Sequence, residues 1–148
     1  MALQRELELD LDPELVWELV TRPDDLAAWL GEEVDLQPVE GSAGRVVDED
    51  GTVRRLVVGQ VDRGRRVTWD WWEEGDLGTV SRVELTLDPT EHGTRLRVLE
   101  VPRPAASVVA SVVAGAPRSS ASLGRRWNRL LVDLELLAML RSPLLHRV

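Results

Sequence analysis

Between Leu3 and Leu11 apolar and charged residues alternate: Leu7, Leu9 and Leu11 fall on one side, Glu6, Glu8 and Asp10 on the other. A period of two marks a strand with one buried face. The pattern then changes with no loop between. Asp12 stands at an N-cap position, and Pro13 follows at the first helical position, where its missing N–H costs nothing. Leu15, Val16, Leu19 and Val20 recur as one helical face with Trp17 at its edge. A second helix is predicted from Pro23 to Leu30, burying Leu26, Trp29 and Leu30 and ending at Gly31.

From Glu33 the period returns to two. Strands are predicted over Val34 to Gln37, Arg45 to Asp48, Val53 to Val61, Arg66 to Glu73, Thr79 to Leu87 and Thr94 to Val101. The turns between them carry Gly41 to Gly44, Asp48 to Gly51, Arg63-Gly64, Gly75 to Gly78 and His92-Gly93. Strands that follow one another through short turns make an antiparallel meander. Residues 102–120 read as a loop or flap, with Pro102, Pro104 and Pro117 around an Ala/Val/Ser run.

A long helix closes the chain over 121–141, with Leu123, Trp127, Leu130, Leu131, Leu134, Leu137 and Leu140 at helical spacing. Arg125, Arg126, Arg129, Asp133 and Glu135 mark its wet side. From Leu130 to Leu140 it is apolar nearly all round, which predicts enclosure on more than one side, by the sheet or by a partner chain. The whole is an α+β fold in one domain, residues 1–148: a curved antiparallel sheet of six or seven strands around a C-terminal helix, with two short helices after strand 1.

Composition narrows the function. The chain has no Cys, so disulfides and thiolate metal sites are excluded. Its eighteen basic residues are all Arg, and its six Trp are its only Phe, Tyr or Trp residues. The formal charge is −8, unevenly spread: fifteen acids and three Arg in residues 1–50, two acids and seven Arg in 101–148. An acidic chain repels phosphate backbones, so nucleic acid is not expected as a partner. No apolar run reaches the ~20 residues of a membrane span, and no leader pattern opens the chain, so a cytoplasmic protein is expected.

Several stretches resemble the START-like (helix-grip, SRPBCC) superfamily, and within it the bacterial relatives of the C-terminal domain of Aha1, the Hsp90 ATPase activator. Leu11 to Trp17 is similar to the strand-to-helix opening of that family, and Leu26 to Gly31 to its second helix ending. Gly59 to Trp71 resembles its strand–turn–strand with a terminal Trp, and Gly93 to Val98 its late hairpin. The likeness covers nearly the whole chain. It departs at Glu100 to Pro104, where many relatives carry His or Glu followed by Gly-Phe. The resemblance implies a helix-grip fold, no cofactor, and a carrier of small molecules, a partner of an Hsp90-type chaperone in stress response, or a cyclase- or hydrolase-like enzyme acting on a bound hydrophobic substrate, as monomer or homodimer. Fold alone does not choose between these.

The residues suggest a cavity between sheet and last helix that holds a small, mostly apolar molecule by desolvation. Val67, Trp69 and Trp71 share one strand face; with Trp29, Leu85, Leu96 and Val98 they are the expected lining, and Trp127 would meet them from the helix. Arg97 and Glu100 are the expected polar anchors near the mouth. Glu100 follows Leu96 and Val98 at period two and so faces inward; there it meets water, pairs with an Arg, or serves as a proton acceptor. No catalytic constellation and no metal-ligand spacing stands out: His92 and His146 are isolated, and Asp48-Glu49-Asp50 reads as a solvated hairpin tip.

Overall fold

The computed structural model describes residues 2–104 and 120–141, the side chains of 120–125 excepted. Seven strands form one antiparallel sheet in the order β1-β7-β6-β5-β4-β3-β2. They are β1 (Leu3–Leu9), β2 (Glu33–Asp35), β3 (Ala43–Val47), β4 (Val53–Asp62), β5 (Arg66–Glu73), β6 (Asp76–Pro89) and β7 (Thr94–Pro102). Strands β2 to β7 are the expected meander. The chain's first strand closes it from the far side, pairing with β7 from Leu3↔Glu100 to Leu9↔Thr94. The helices α1 (Pro13–Thr21) and α2 (Pro23–Leu26) carry the chain from one edge of the sheet to the other, and α3 (Ser120–Arg141) lies against the inner face.

Two tight turns depend on glycine. Gly64 between β4 and β5 and Gly75 between β5 and β6 have φ of +81° and +83°, where a Cβ is strained. The β4–β5 ladder shifts register between Val58 and Val61, a bulge that bends a sheet toward its partner layer. At the start, α1 begins at Asp12 and Pro13 as expected, although the Asp12 side chain makes no capping hydrogen bond.

The second helix is shorter than predicted. It stops at Leu26 because the next turn tightens: Ala28 N–H donates to Asp25 and Trp29 N–H to Leu26, three residues back rather than four. That turn brings the Trp29 indole onto the end of α1, where Nε1 donates to the Leu19 carbonyl at 2.8 Å. The sheet covers only part of the long helix. Trp127, Leu130, Leu131, Leu134 and Ala138 are buried, but Val132, Leu136 and Met139 are each more than half exposed. Among the described residues, α3 is therefore covered on one side only. The expected flap lies mostly at 105–119, outside the described residues.

The charge asymmetry is answered within the fold. Arg141 of α3 bonds Asp25 at 2.6 Å, and Arg129 approaches Glu49 at 3.5 Å. The acids of the β3–β4 turn are not merely solvated: Asp48 pairs with Arg54, Glu49 with Arg129, and Asp50 accepts the Thr52 N–H at 2.9 Å.

Candidate functional site: a buried carboxylate within four indoles

Strand alternation builds the inner face. Leu56 and Val58 of β4, Val67, Trp69 and Trp71 of β5, Ser81, Val83, Leu85 and Leu87 of β6, and Leu96, Val98 and Glu100 of β7 all lie on the buried inner face. Register then sets the neighbours. Trp69 lies between Val58 and Val83, Trp71 between Leu56 and Ser81, and Glu100 beside Val83. All the residues expected to line the cavity are buried: Val67, Trp69, Leu85, Leu96 and Trp127 at 0%, Trp71 and Val98 at 1%, Trp29 at 3%.

Glu100 is fully buried, so the strand has not reached water at this point. Its Oε1 accepts Trp127 Nε1–H at 2.6 Å. Its Oε2 accepts Trp71 Nε1–H at 2.8 Å and the Ser81 hydroxyl. The Arg126 guanidinium stands 3.6 Å from Oε2. One carboxylate thus joins three strands to α3, its charge balanced by an Arg expected on the wet side of the helix. Buried charge of this kind persists only when paired and hydrogen-bonded.

The indoles form a continuous chain. Centroids of Trp29 and Trp127 are 6.5 Å apart, of Trp127 and Trp71 6.1 Å, and of Trp71 and Trp69 5.8 Å, with tilted or T-shaped planes. Two guanidinium groups attend Trp71, Arg54 at 5.2 Å and Arg126 at 5.4 Å from the ring centroid. Three of the four indole N–H groups have acceptors. The fourth, Trp69 Nε1, is buried without one among the described residues.

The concavities lie around this packed centre. A groove of about 310 Å³ runs between the turn after α2, the β3–β4 turn and α3, with Trp29, Leu30 and Leu130 in its wall and Glu32, Asp48, Glu49, Arg129 and Asp133 among its polar lining. A cleft of about 10 Å³ reaches Trp71, Ser81, Glu100 and Arg126, with room for a single water. On the outer face, a depression of about 240 Å³ lies against Trp72, Arg45 and Arg55. Of the expected lining, Trp29 therefore borders the large groove, Trp71 and Glu100 border the small cleft, and Val67, Leu85, Leu96 and Val98 pack in the core.

Arg97 needs correction. It lies on the outer face of β7, 3.4 Å from Glu6 and 3.5 Å from Asp88, because position 97 is out of phase with 96, 98 and 100. The polar partners of Glu100 that the sequence reading missed are Arg126 and Ser81. Ser81 was open to detection, since it continues the inward period of Val83, Leu85 and Leu87.

The model of a family described as activator of Hsp90 ATPase homolog 1-like protein matches residues 10–128. The chain belongs to this family. No curated protein matches the Aha1-like chain. Its fold is shared with protein MLL2253 from Mesorhizobium loti, at 23% identity and TM-score 0.76, covering 96% of this chain and 98% of that one. DynU16, from the dynemicin biosynthetic locus, is 24% identical with TM-score 0.76; the match covers 96% of this chain and 48% of DynU16. The Aha1 dimer from Colwellia psychrerythraea is 15% identical with TM-score 0.71, covering 91% and 93%. At these identities the likeness concerns the Aha1-like fold.

Among the described residues no helix is long and apolar enough to cross a membrane. Nor does any group of three or more His, Cys, Asp and Glu among them stand ready for a metal ion.

Proposed function

We propose that this chain is a non-catalytic binding module that takes up a small, mostly apolar molecule between the sheet and α3. The observation that carries the reading is the unbroken series of indoles from Trp29, in the wall of the 310 Å³ groove, through Trp127 and Trp71 to Trp69. The groove falls at the lower end of the ~300–1,000 Å³ typical of small-molecule sites. A guest in the groove meets the Trp29 indole together with Leu30 and Leu130. The polar lining of the groove leaves the outer end of the guest in contact with water. Catalysis has less support, because Glu100 already accepts three hydrogen bonds and faces Arg126.

The test is a titration with Nile red, together with native mass spectrometry of protein purified from its own host. Saturable dye binding that quenches indole emission, weakened by Trp29→Ala, supports the reading. Unchanged emission and no retained mass refute it.

A second reading is favoured by one observation: Val132, Leu136 and Met139 present an apolar stripe to solvent at positions i, i+4 and i+7 of α3. It makes the chain a protein-interaction module of the Hsp90-activator kind, or a homodimer such as the one described for the Colwellia protein. Sedimentation at rising concentration, and capture of a purified Hsp90-type chaperone at low and high salt, test it. A monomer that retains no chaperone counts against it.

A further inference from the structure

The 310 Å³ groove sets hydrocarbon beside uncommitted carboxylates. Its wall carries Trp29, Leu30 and Leu130. Its ionic lining is four acids, Glu32, Asp48, Glu49 and Asp133, against the single base Arg129. Two of the acids are engaged within the fold, Asp48 with Arg54 and Glu49 with Arg129. The carboxylates of Glu32 and Asp133 have no ion-pair or hydrogen-bond partner among the described residues. Arg129 stands one helical turn before Asp133 on α3, yet its guanidinium is turned to Glu49 at 3.5 Å. Acids on an open surface need no partner, because water solvates them. These two line a groove walled by an indole and two leucines, where a guest that displaces water also strips part of their hydration.

We infer that the groove selects an organic cation: an amine, protonated at neutral pH, on a compact hydrocarbon body. This rests on the guest reading above and names the ligand class. The body lies against Trp29, Leu30 and Leu130, and the ammonium answers Glu32 and Asp133. A neutral guest takes water from two carboxylates and returns nothing, and an anionic guest adds repulsion to that cost. Arg129 offers an anion little, since Glu49 already neutralises it and both side chains are more than half exposed. The wider field acts in the same direction: residues 1–50, which supply Glu32, Asp48 and Glu49, hold fifteen acids and three Arg. A bare metal ion would leave the hydrocarbon wall unused.

The experiment uses three probes built on one hydrocarbon cage: 1-adamantylamine, 1-adamantanol and 1-adamantanecarboxylate, which are cationic, neutral and anionic at neutral pH. Protein carrying 15N-labelled Trp gives one indole N–H signal per Trp, and the Trp29 signal is assigned by its loss in Trp29→Phe. The expected result at low salt is a saturable shift of that signal, with the amine bound about fivefold to tenfold more tightly than the alcohol, the worth of two part-exposed ion pairs. The carboxylate should bind most weakly, and high salt should narrow the differences. Glu32→Gln combined with Asp133→Asn should bring the amine to the affinity of the alcohol. If amine and alcohol bind alike, or the carboxylate binds most tightly, the inference falls and the guest reading stands. An amine that keeps its advantage in the double variant also overturns the inference. If none of the three moves the Trp29 signal up to millimolar concentration, both fall. The ranking of the three probes on the wild-type protein stands by itself, should a variant fold poorly.

Discussion

Replacing Glu100 by Gln removes one charge and changes almost nothing in shape. The carboxylate accepts from Trp71 and Ser81 on one oxygen and from Trp127 on the other. In the carboxamide one of those oxygens becomes an NH2 group, so one position must set donor against donor. The better orientation keeps oxygen toward Trp127 and turns the NH2 to Ser81 Oγ, which already stands 3.1 Å from Trp71 Nε1. One charge-assisted bond is then lost, worth about 1.5–3 kcal/mol, and Arg126 loses a counter-charge 3.6 Å away. Breaking a buried pair from one side costs about 3–5 kcal/mol, an upper bound here because the amide still accepts one bond.

We expect Glu100→Gln to destabilise by about 2–4 kcal/mol, a fall in Tm of about 5–15 °C for a chain of this size. Urea unfolding followed by indole emission and circular dichroism measures it. In a cycle with Trp127→Phe, coupling of at least about 1 kcal/mol is expected, since the two groups share a hydrogen bond. Hydrogen exchange should quicken first in α3, the element that Trp127 ties to the sheet. A Glu100→Gln protein within about 0.5 kcal/mol of the parent would refute the reasoning.

Gly93→Ala should cost about 1–3 kcal/mol, because a Cβ there would stand 2.0 Å from the Leu9 carbonyl oxygen, and equilibrium unfolding checks it. The Asp50 carboxyl is held below its ordinary value by the Thr52 backbone N–H and then the Thr52 hydroxyl; its contribution is present above the unfolded value and lost as pH falls through the lowered one, so carbon-detected NMR should find it titrating below 3.8. Leu136→Lys should leave stability within about 0.5 kcal/mol, since the side chain is 54% exposed, and sedimentation should show whether it abolishes any self-association. Arg141→Ala should cost no more than about 1 kcal/mol, the Arg being half exposed, with local fraying of the α3 end seen by hydrogen exchange.

Strand alternation made most of the sheet legible, because period two reports directly which residues face the core. It also located the inward face of Val67, Trp69 and Trp71, and of Leu96, Val98 and Glu100. What it could not supply was the third dimension. Arg126 looked solvated because it neighbours other arginines in sequence, yet the helix turns it onto a carboxylate more than twenty residues away. The reach of α2 was over-read because Leu26, Trp29 and Leu30 keep helical spacing even where the backbone tightens. The sheet covers only one side of α3 and leaves Val132, Leu136 and Met139 open, since apolar composition cannot tell a face covered by the sheet from one left for a partner chain. Arg97 was a plain error of phase, avoidable by counting from Leu96.

Because the chain has no Tyr or Phe, all its near-ultraviolet absorption belongs to indole. Four of its six chromophores stand within 5.8–6.5 Å of a neighbour in fixed, non-parallel orientations. Transition dipoles that close and that rigidly skewed exchange excitation and split into paired bands of opposite rotational sign. Part of that couplet overlaps the peptide bands, so a helix content read from the far ultraviolet will be in error for this protein. The Trp69–Trp71 pair on β5 couples without the helix, so the part of the signal that reports whether α3 is seated is the part that Trp127 adds through Trp29 and Trp71.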